Sequence, residues 1–169
     1  AQTRVLREIR ADLGGRWPMR RLLQGDVGSG KTVVAGAAAL MALESGCDVA
    51  LMAPTEILAE QHALTFRRWF EPLGVRVELW TASVKPAGVS EANPPGPALC
   101  LGTHALLESD FAPANLGLVI IDEQHRFGVA QREQLVRKGR YPHLLVMTAS
   151  PIPRTLGLTV YGDLDVSVL

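Results

Sequence analysis

Residues 25 to 32 read Gly25-Asp26-Val27-Gly28-Ser29-Gly30-Lys31-Thr32, three glycines followed by a lysine and a hydroxyl residue. The flanks of this octapeptide limit what the chain can fold into. Arg21-Leu22-Leu23-Gln24 before it reads as a short strand. Lys31 to Glu44 after it reads as an alanine-rich, nearly all-apolar helix stopped by Ser45-Gly46, and a helix without a polar face is buried on several sides. Strand, loop and helix are the setting that the pattern G-x-x-x-x-G-K-[ST] requires. Glycines let such a loop wrap until consecutive backbone N–H groups point at phosphate oxygens, and the helix N-terminus adds partial positive charge. Gly25, Asp26, Val27, Gly28, Ser29 and Gly30 are therefore expected to cradle the phosphates of a nucleotide such as ATP. Lys31 would reach the β- and γ-phosphates, and the Thr32 hydroxyl would ligate Mg²⁺. The bland alternative is an ordinary glycine-rich turn from strand to helix. Only three of the seventeen basic residues are lysines (Lys31, Lys85 and Lys138), and one of them stands in this loop.

The rest of the chain alternates strands with helices. Val5, Leu6, Ile9 and Leu13 fall at helical spacing within Thr3 to Leu13, closed by Gly14-Gly15. Asp48 to Ala53 reads as a strand ended by Pro54, and Thr55 as the cap of a helix through Phe70 with Leu58, His62 and Phe66 on one face. Pro72-Leu73-Gly74 breaks that helix, and Val75 to Trp80 alternates as a strand. Ala98 to Leu101, Leu118 to Ile121 and Leu144 to Met147 are short, continuous apolar runs, suited to strands buried on both faces of a parallel sheet. Lys85 to Pro97 carries four prolines and two glycines and reads as a loop. The expected fold is a doubly wound α/β domain with its functional loops at the carboxyl ends of the strands.

Composition sets outer limits. A chain of 169 residues with 47% apolar residues is long and apolar enough for one packed core, and is neither disordered nor fibrous. Seventeen basic against seventeen acidic residues give a formal net charge of zero, which by itself makes no case for nucleic acid or membrane. The longest apolar stretch, Val33 to Leu43, is too short to cross a bilayer. Cys47 and Cys100 lie far apart and suggest small buried hydrophobes in a reducing compartment, so a soluble cytoplasmic protein is expected.

A second phosphate-chemistry element follows the run Leu118 to Ile121, which delivers Asp122-Glu123 at its carboxyl end. Asp122 would hold the Mg²⁺ shell, and Glu123 would orient and polarise the attacking water. The competing reading is a helix N-cap, since Gln124 to Arg137 can be helical in part. An Asn-Lys-x-Asp guanine reader is absent from the sequence, which lowers a GTPase reading.

Several blocks then resemble the superfamily 2 helicases, and within them the RecG family of branched-DNA helicases. They are Arg21 to Thr32 (motif I), Met52 to His62 (motif Ia), Gly102 to Leu107 (motif Ib), Asp122-Glu123-Gln124-His125 with Arg126-Phe127-Gly128-Val129 and Gln131-Arg132 (motif II), and Met147 to Leu156 (motif III). The transcription-repair coupling translocases share the His-Arg-Phe-Gly and Pro-Ile-Pro-Arg-Thr-Leu blocks, and Ser29 and Gln124 favour the RecG family over them. The resemblance implies a three-layer RecA-like P-loop NTPase domain with a mainly parallel central sheet. It implies an ATP-dependent, Mg²⁺-dependent helicase acting on forks and Holliday junctions in recombination and repair.

The same resemblance assigns residues. Pro54, Thr55, Thr103 and His104 stand where the family contacts DNA backbone; small hydroxyls and backbone amides can bind phosphate without net positive charge. Capping is the plain alternative for Thr55 and Thr103. His125, Thr148 and Ser150 match positions that couple nucleotide state to lobe movement, and Gln2 matches a glutamine that reads adenine. Two departures stand out. Motif III reads Thr-Ala-Ser where the family usually has Thr-Ala-Thr, and Lys85 to Pro97 replaces a longer charged helical segment. Ala82 in Thr81-Ala82-Ser83 stands where the family favours glycine, which argues against a DNA contact there.

Motifs IV to VI with their arginine fingers are expected after Leu169 and a DNA-wedge domain before Ala1. Residues 1–169 would then be one helicase ATP-binding lobe of a larger bacterial protein, partnered by a second RecA-like lobe, the wedge domain and branched DNA, with no membrane. Tyr161 to Leu169 resembles the passage into that second lobe. The rival from another class is a nucleotide-binding scaffold without turnover. A P-loop kinase would need an acceptor pocket and lid arginines for which the motif series leaves no room.

Overall fold

The computed structural model describes residues 1–86, 96–122, 128–149 and 162–169. Its elements in chain order are α1 (Gln2–Leu13), β1 (Arg20–Gln24), α2 (Lys31–Glu44), β2 (Asp48–Met52), α3 (Glu56–Phe70), β3 (Arg76–Trp80), β4 (Ala98–Gly102), β5 (Leu116–Asp122), α4 (Val129–Val136), β6 (His143–Thr148) and β7 (Asp165–Val168). The strands form one seven-stranded sheet in the order β3-β4-β2-β5-β6-β1-β7. Every pair in it is parallel, so the expectation of a mainly parallel sheet becomes a wholly parallel one among the described residues.

The apolar runs are continuous because both faces of the sheet are covered. Successive strand residues alternate between two cores. Leu23, Leu51, Leu101, Ile120 and Met147 meet α1, α2 and α3 on one face. Leu22, Met52, Cys100, Ile121 and Val146 meet Leu135 of α4 and Leu106 of a short 3-10 turn (His104–Leu107) on the other. Helix α2 packs against both α1 and the sheet with Val34, Ala35, Ala38 and Ala39 fully buried, which accounts for its alanine-rich composition. A Cβ at Gly36 would lie 3.2 Å from both the Phe66 and Trp69 rings, so the missing side chain lets α3 close onto α2.

Strand β7 lies within the stretch that resembled a passage out of the lobe, and its alternating valines do not mark its buried face. Its pattern is inverted: Ser167 is buried while Val166 and Val168 are exposed. The inward hydroxyl is satisfied by a polar cluster, accepting from Arg21 Nη1 at 2.9 Å and donating to Glu8. Register along β1 then pairs Leu23 with both Met147 and Ser167.

The parallel arrangement brings the strand carboxyl ends to one edge. Gly25 N–H donates to Thr148 O at 3.1 Å, Leu169 N–H to Gln24 O at 2.8 Å, and Ala53 N–H to Gly102 O at 2.8 Å. At the far side of that edge a Cβ on Gly102 would lie 2.2 Å from the Trp80 carbonyl oxygen. Gly102→Ala is therefore expected to push β3 from β4 and cost about 2 kcal/mol. A urea titration with unchanged m would read this as a lowered midpoint, and an unmoved midpoint would refute the close approach.

Candidate functional site

The octapeptide leaves β1 as a tight loop and enters α2 at Gly30. Gly28 and Gly30 take φ values of 81° and 94°, the left-handed conformation that favours glycine. Ser29 N–H donates to Asp26 O at 3.0 Å and closes the loop's inner turn. No side chain caps α2, so its first-turn amides are left to the loop's interior. Lys31 Nζ bends back and donates to the carbonyls of Gly25 and Asp26, which keeps its ammonium beside those amides. Ser29 Oγ is buried without a hydrogen-bond partner, and a Cβ on Gly25 would stand 2.5 Å from it. Uncapped amides, an orphan hydroxyl and one ammonium make a donor set suited to phosphate oxygens.

Gln2, from the first turn of α1, reaches the same loop. Its Nε2 donates to Ser29 O at 3.2 Å, and a Cβ on Gly30 would collide with it at 1.9 Å. Two residues 27 positions apart are thus in contact. Val27 is nearly fully exposed at the loop tip.

Asp122 ends β5, whose register pairs it with Met147, while Gln24 pairs with Thr148. The carboxylate consequently stands two strands along from the phosphate loop on the same edge, with β6 between them. His62 of α3 contacts it, Nε2 to Oδ2, at 2.7 Å. Among the described residues no three His, Cys, Asp or Glu side chains cluster to hold a metal. Thr32 and Asp122 offer a hydroxyl and a carboxylate, which fits Mg²⁺, an ion that takes few protein ligands and completes its shell with phosphate oxygens and water. Glu123, Gln124, His125 and Ser150 lie outside the described residues, as do 87–95 of the proline-rich loop. Thr148, expected to couple, is buried at the end of β6 beside Gly25.

The four positions expected to meet DNA are also drawn together. Met52 pairs with Gly102, so Pro54-Thr55 and Thr103-His104 leave adjoining strand ends. Thr55 Oγ1 accepts from Leu58 N–H at 3.2 Å and caps α3, so the plain reading of that residue is realised. Thr103 is buried and caps nothing with its side chain. His104 is exposed, its Nε2 lying 3.3 Å from the Gln131 amide nitrogen of α4. Just past β3, Thr81 is buried and its hydroxyl accepts from Val84 N–H at 3.0 Å, a turn-closing role.

Helix α4 is fastened beneath this edge. Arg132 is buried and donates to Asp163 at 3.0 Å, and Arg20 of β1 bridges Asp163 and Glu133. Burial works to raise the Asp163 carboxyl, but the Arg132 charge and the Arg20 hydrogen bond outweigh it and hold the group below its ordinary value. Arg132 and His62 stand within motif blocks whose spacing assigns neither of them a role. A histidine on an otherwise apolar helical face was the available signal for His62.

The sequence model of the DEAD/DEAH box helicases matches residues 2–158. The chain belongs to that family. It is 60% identical over its whole length to the ATP-dependent DNA helicase RecG of Acidithiobacillus ferridurans, and 53% identical over its whole length to that of Escherichia coli strain K12. It covers 25% and 26% of those two proteins, so the chain spans about a quarter of the relatives' length. A solved RecG bound to a three-way DNA junction superposes with a TM-score of 0.80 at 44% identity, over 99% of this chain and 23% of that one. The helicase MrfA, at 16% identity and a TM-score of 0.69, shares the RecA-like fold. Among the described residues no helix is long and apolar enough to cross a membrane.

The Thr55 cap carries a prediction of its own. Thr55→Ala is expected to lose about 1 kcal/mol of stability and Thr55→Ser to regain most of it, because serine keeps the accepting oxygen. Denaturant midpoints of the two variants check this; equal midpoints would show that the hydroxyl does not hold the helix.

Proposed function

We propose that residues 1–169 form the ATP-binding motor lobe of a DNA-dependent ATPase that remodels branched DNA, including replication forks and Holliday junctions, in recombination and repair. The observation that carries this reading is the shared edge. The phosphate loop, Asp122 and the Pro54-Thr55/Thr103-His104 pair all hang from carboxyl ends of one parallel sheet. Similarity along the whole of this chain to about a quarter of the length of RecG helicases, one of them solved with a three-way junction, supports branched DNA as the partner.

In this reading Lys31 and the loop amides bind the β- and γ-phosphates, and Gln2 reads adenine. Thr32 and Asp122 hold Mg²⁺, which when bound screens charge on the phosphoryl oxygens. Glu123 orients and polarises the attacking water. Pro54, Thr55, Thr103 and His104 grip DNA backbone through amides and hydroxyls, which suits a formally neutral chain. His125, Thr148 and Ser150 relay nucleotide state. A second RecA-like lobe supplies arginine fingers, a wedge domain splits the junction, and the protein works in the bacterial cytoplasm.

In the full-length protein, Lys31→Ala is expected to lower ATP turnover at least about 10²-fold, by removing the charge aimed at the transferred phosphoryl group. Fork unwinding should fall with it while DNA binding persists. Near-normal phosphate release in that variant would refute the phosphate-loop assignment. Glu123→Gln should keep Mg-ATP affinity and lose turnover, because the amide is nearly isosteric but a poor base. Loss of nucleotide binding in Glu123→Gln would show that Glu123 does not act on water.

A further inference from the structure

We propose that His62 is a positioning residue for Asp122, fixing its carboxylate for the metal shell; this rests on the reading of Asp122 as a Mg²⁺ ligand. An ionised carboxylate only accepts hydrogen bonds, so across the 2.7 Å contact the imidazole Nε2–H donates and Oδ2 accepts. Both side chains are largely withdrawn from solvent, at 13% and 14% exposed, so water competes little for either group. With Oδ2 engaged, rotation about the last carboxylate bond is held, and lone pairs on Oδ1 stay available to a cation.

The imidazole is itself held. Ala59 and Ala63 press α3 flush to the sheet, with accessibilities of 0% and 1%. One turn on, Phe66 stands with its ring centroid 6.0 Å from that of His62. Phe66 in turn lies edge-on to Trp69, and both rings close on Gly36 of α2. A continuous contact therefore runs from the phosphate-loop helix through Phe66 and His62 to Asp122. Carboxylates that ligate metals are commonly hydrogen-bonded from behind, and loss of such a partner typically lowers metal affinity or activity about 10- to 100-fold.

The experiment uses the full-length protein and a fluorescent ADP analogue, titrated in excess Mg²⁺ and in EDTA. Wild type, His62→Ala, His62→Gln and Asp122→Asn are compared, with thermal melts to establish that each is folded. Affinity in EDTA should be the same for all four. The tightening that Mg²⁺ produces should drop about tenfold in His62→Ala and be lost in Asp122→Asn. His62→Gln, whose amide keeps an N–H donor at similar reach, should recover most of it. In steady state His62→Ala should need about tenfold more Mg²⁺ for half-maximal turnover, with KM for ATP at saturating Mg²⁺ unchanged. Wild-type tightening in His62→Ala, where Asp122→Asn loses it, would overturn the positioning role alone. So would a folded His62→Gln no better than His62→Ala, since the ring would then act by packing. Equal tightening in wild type and Asp122→Asn would overturn the metal reading of Asp122 and this inference with it.

Discussion

The hydrogen bonds at the end of β1 hold the candidate site in place. Gly25 N–H reaches sideways to Thr148 O, and Leu169 N–H returns to Gln24 O, so the phosphate loop starts from a point clamped on both sides. In a parallel sheet these bonds are possible only where neighbouring strands end in register, and Gln24 is paired with Thr148 and with Val168. The carboxyl-edge position of Asp122 and of the Pro54 and Thr103 loops follows from the same parallel pairing, repeated outward through β6, β5, β2 and β4. Helices on both faces are the condition for such a sheet, and its alternating side chains divide into two separate cores.

Electrostatics across this edge are local. The formal net charge is zero, and several exposed charges are spent on structural pairs such as Lys85 with Asp110 and Arg4 with Glu8. The phosphate loop gains its positive character from backbone amides, one lysine and a helix terminus. Arg20, Arg132, Glu133 and Asp163 form a compact group joining β1, α4 and the approach to β7. Its arginines are tied to carboxylates. A neutral chain can thus carry an anion-binding face without a basic patch.

Much of this was legible because periodicity and turn chemistry agreed. The octapeptide, the buried alanine-rich helix, the Thr55 cap and the apolar strand runs each carried a local signal, and the structure places them within a residue or two of expectation. Strand β7 was not legible, since it buries a serine and exposes valines; that inversion depends on Glu8 and Arg21, far away in sequence. The pairing of His62 with Asp122 spans 60 positions and joins a helix face to a strand end, so no local pattern could announce it. Arg132, which stands with motif II, has no legible partner until Asp163 is brought beside it. Strand order was hidden for a related reason: the apolar runs show which segments are buried on both faces, but not which run lies beside which.

Gly36 gives the domain a built-in optical gauge. Because no side chain intervenes, the Trp69 ring edge sits directly on the phosphate-loop helix, near 3.2 Å from where a Cβ would be. The indole is 37% exposed, so its outer edge samples solvent while its inner edge samples α2. Any shift of that helix against α3 alters the indole's surroundings at once. Trp17 is mostly exposed and Trp80 lies on the opposite face against Phe111, so neither shares that environment. Intrinsic fluorescence from one native residue can thus report movement behind the phosphate loop without a label.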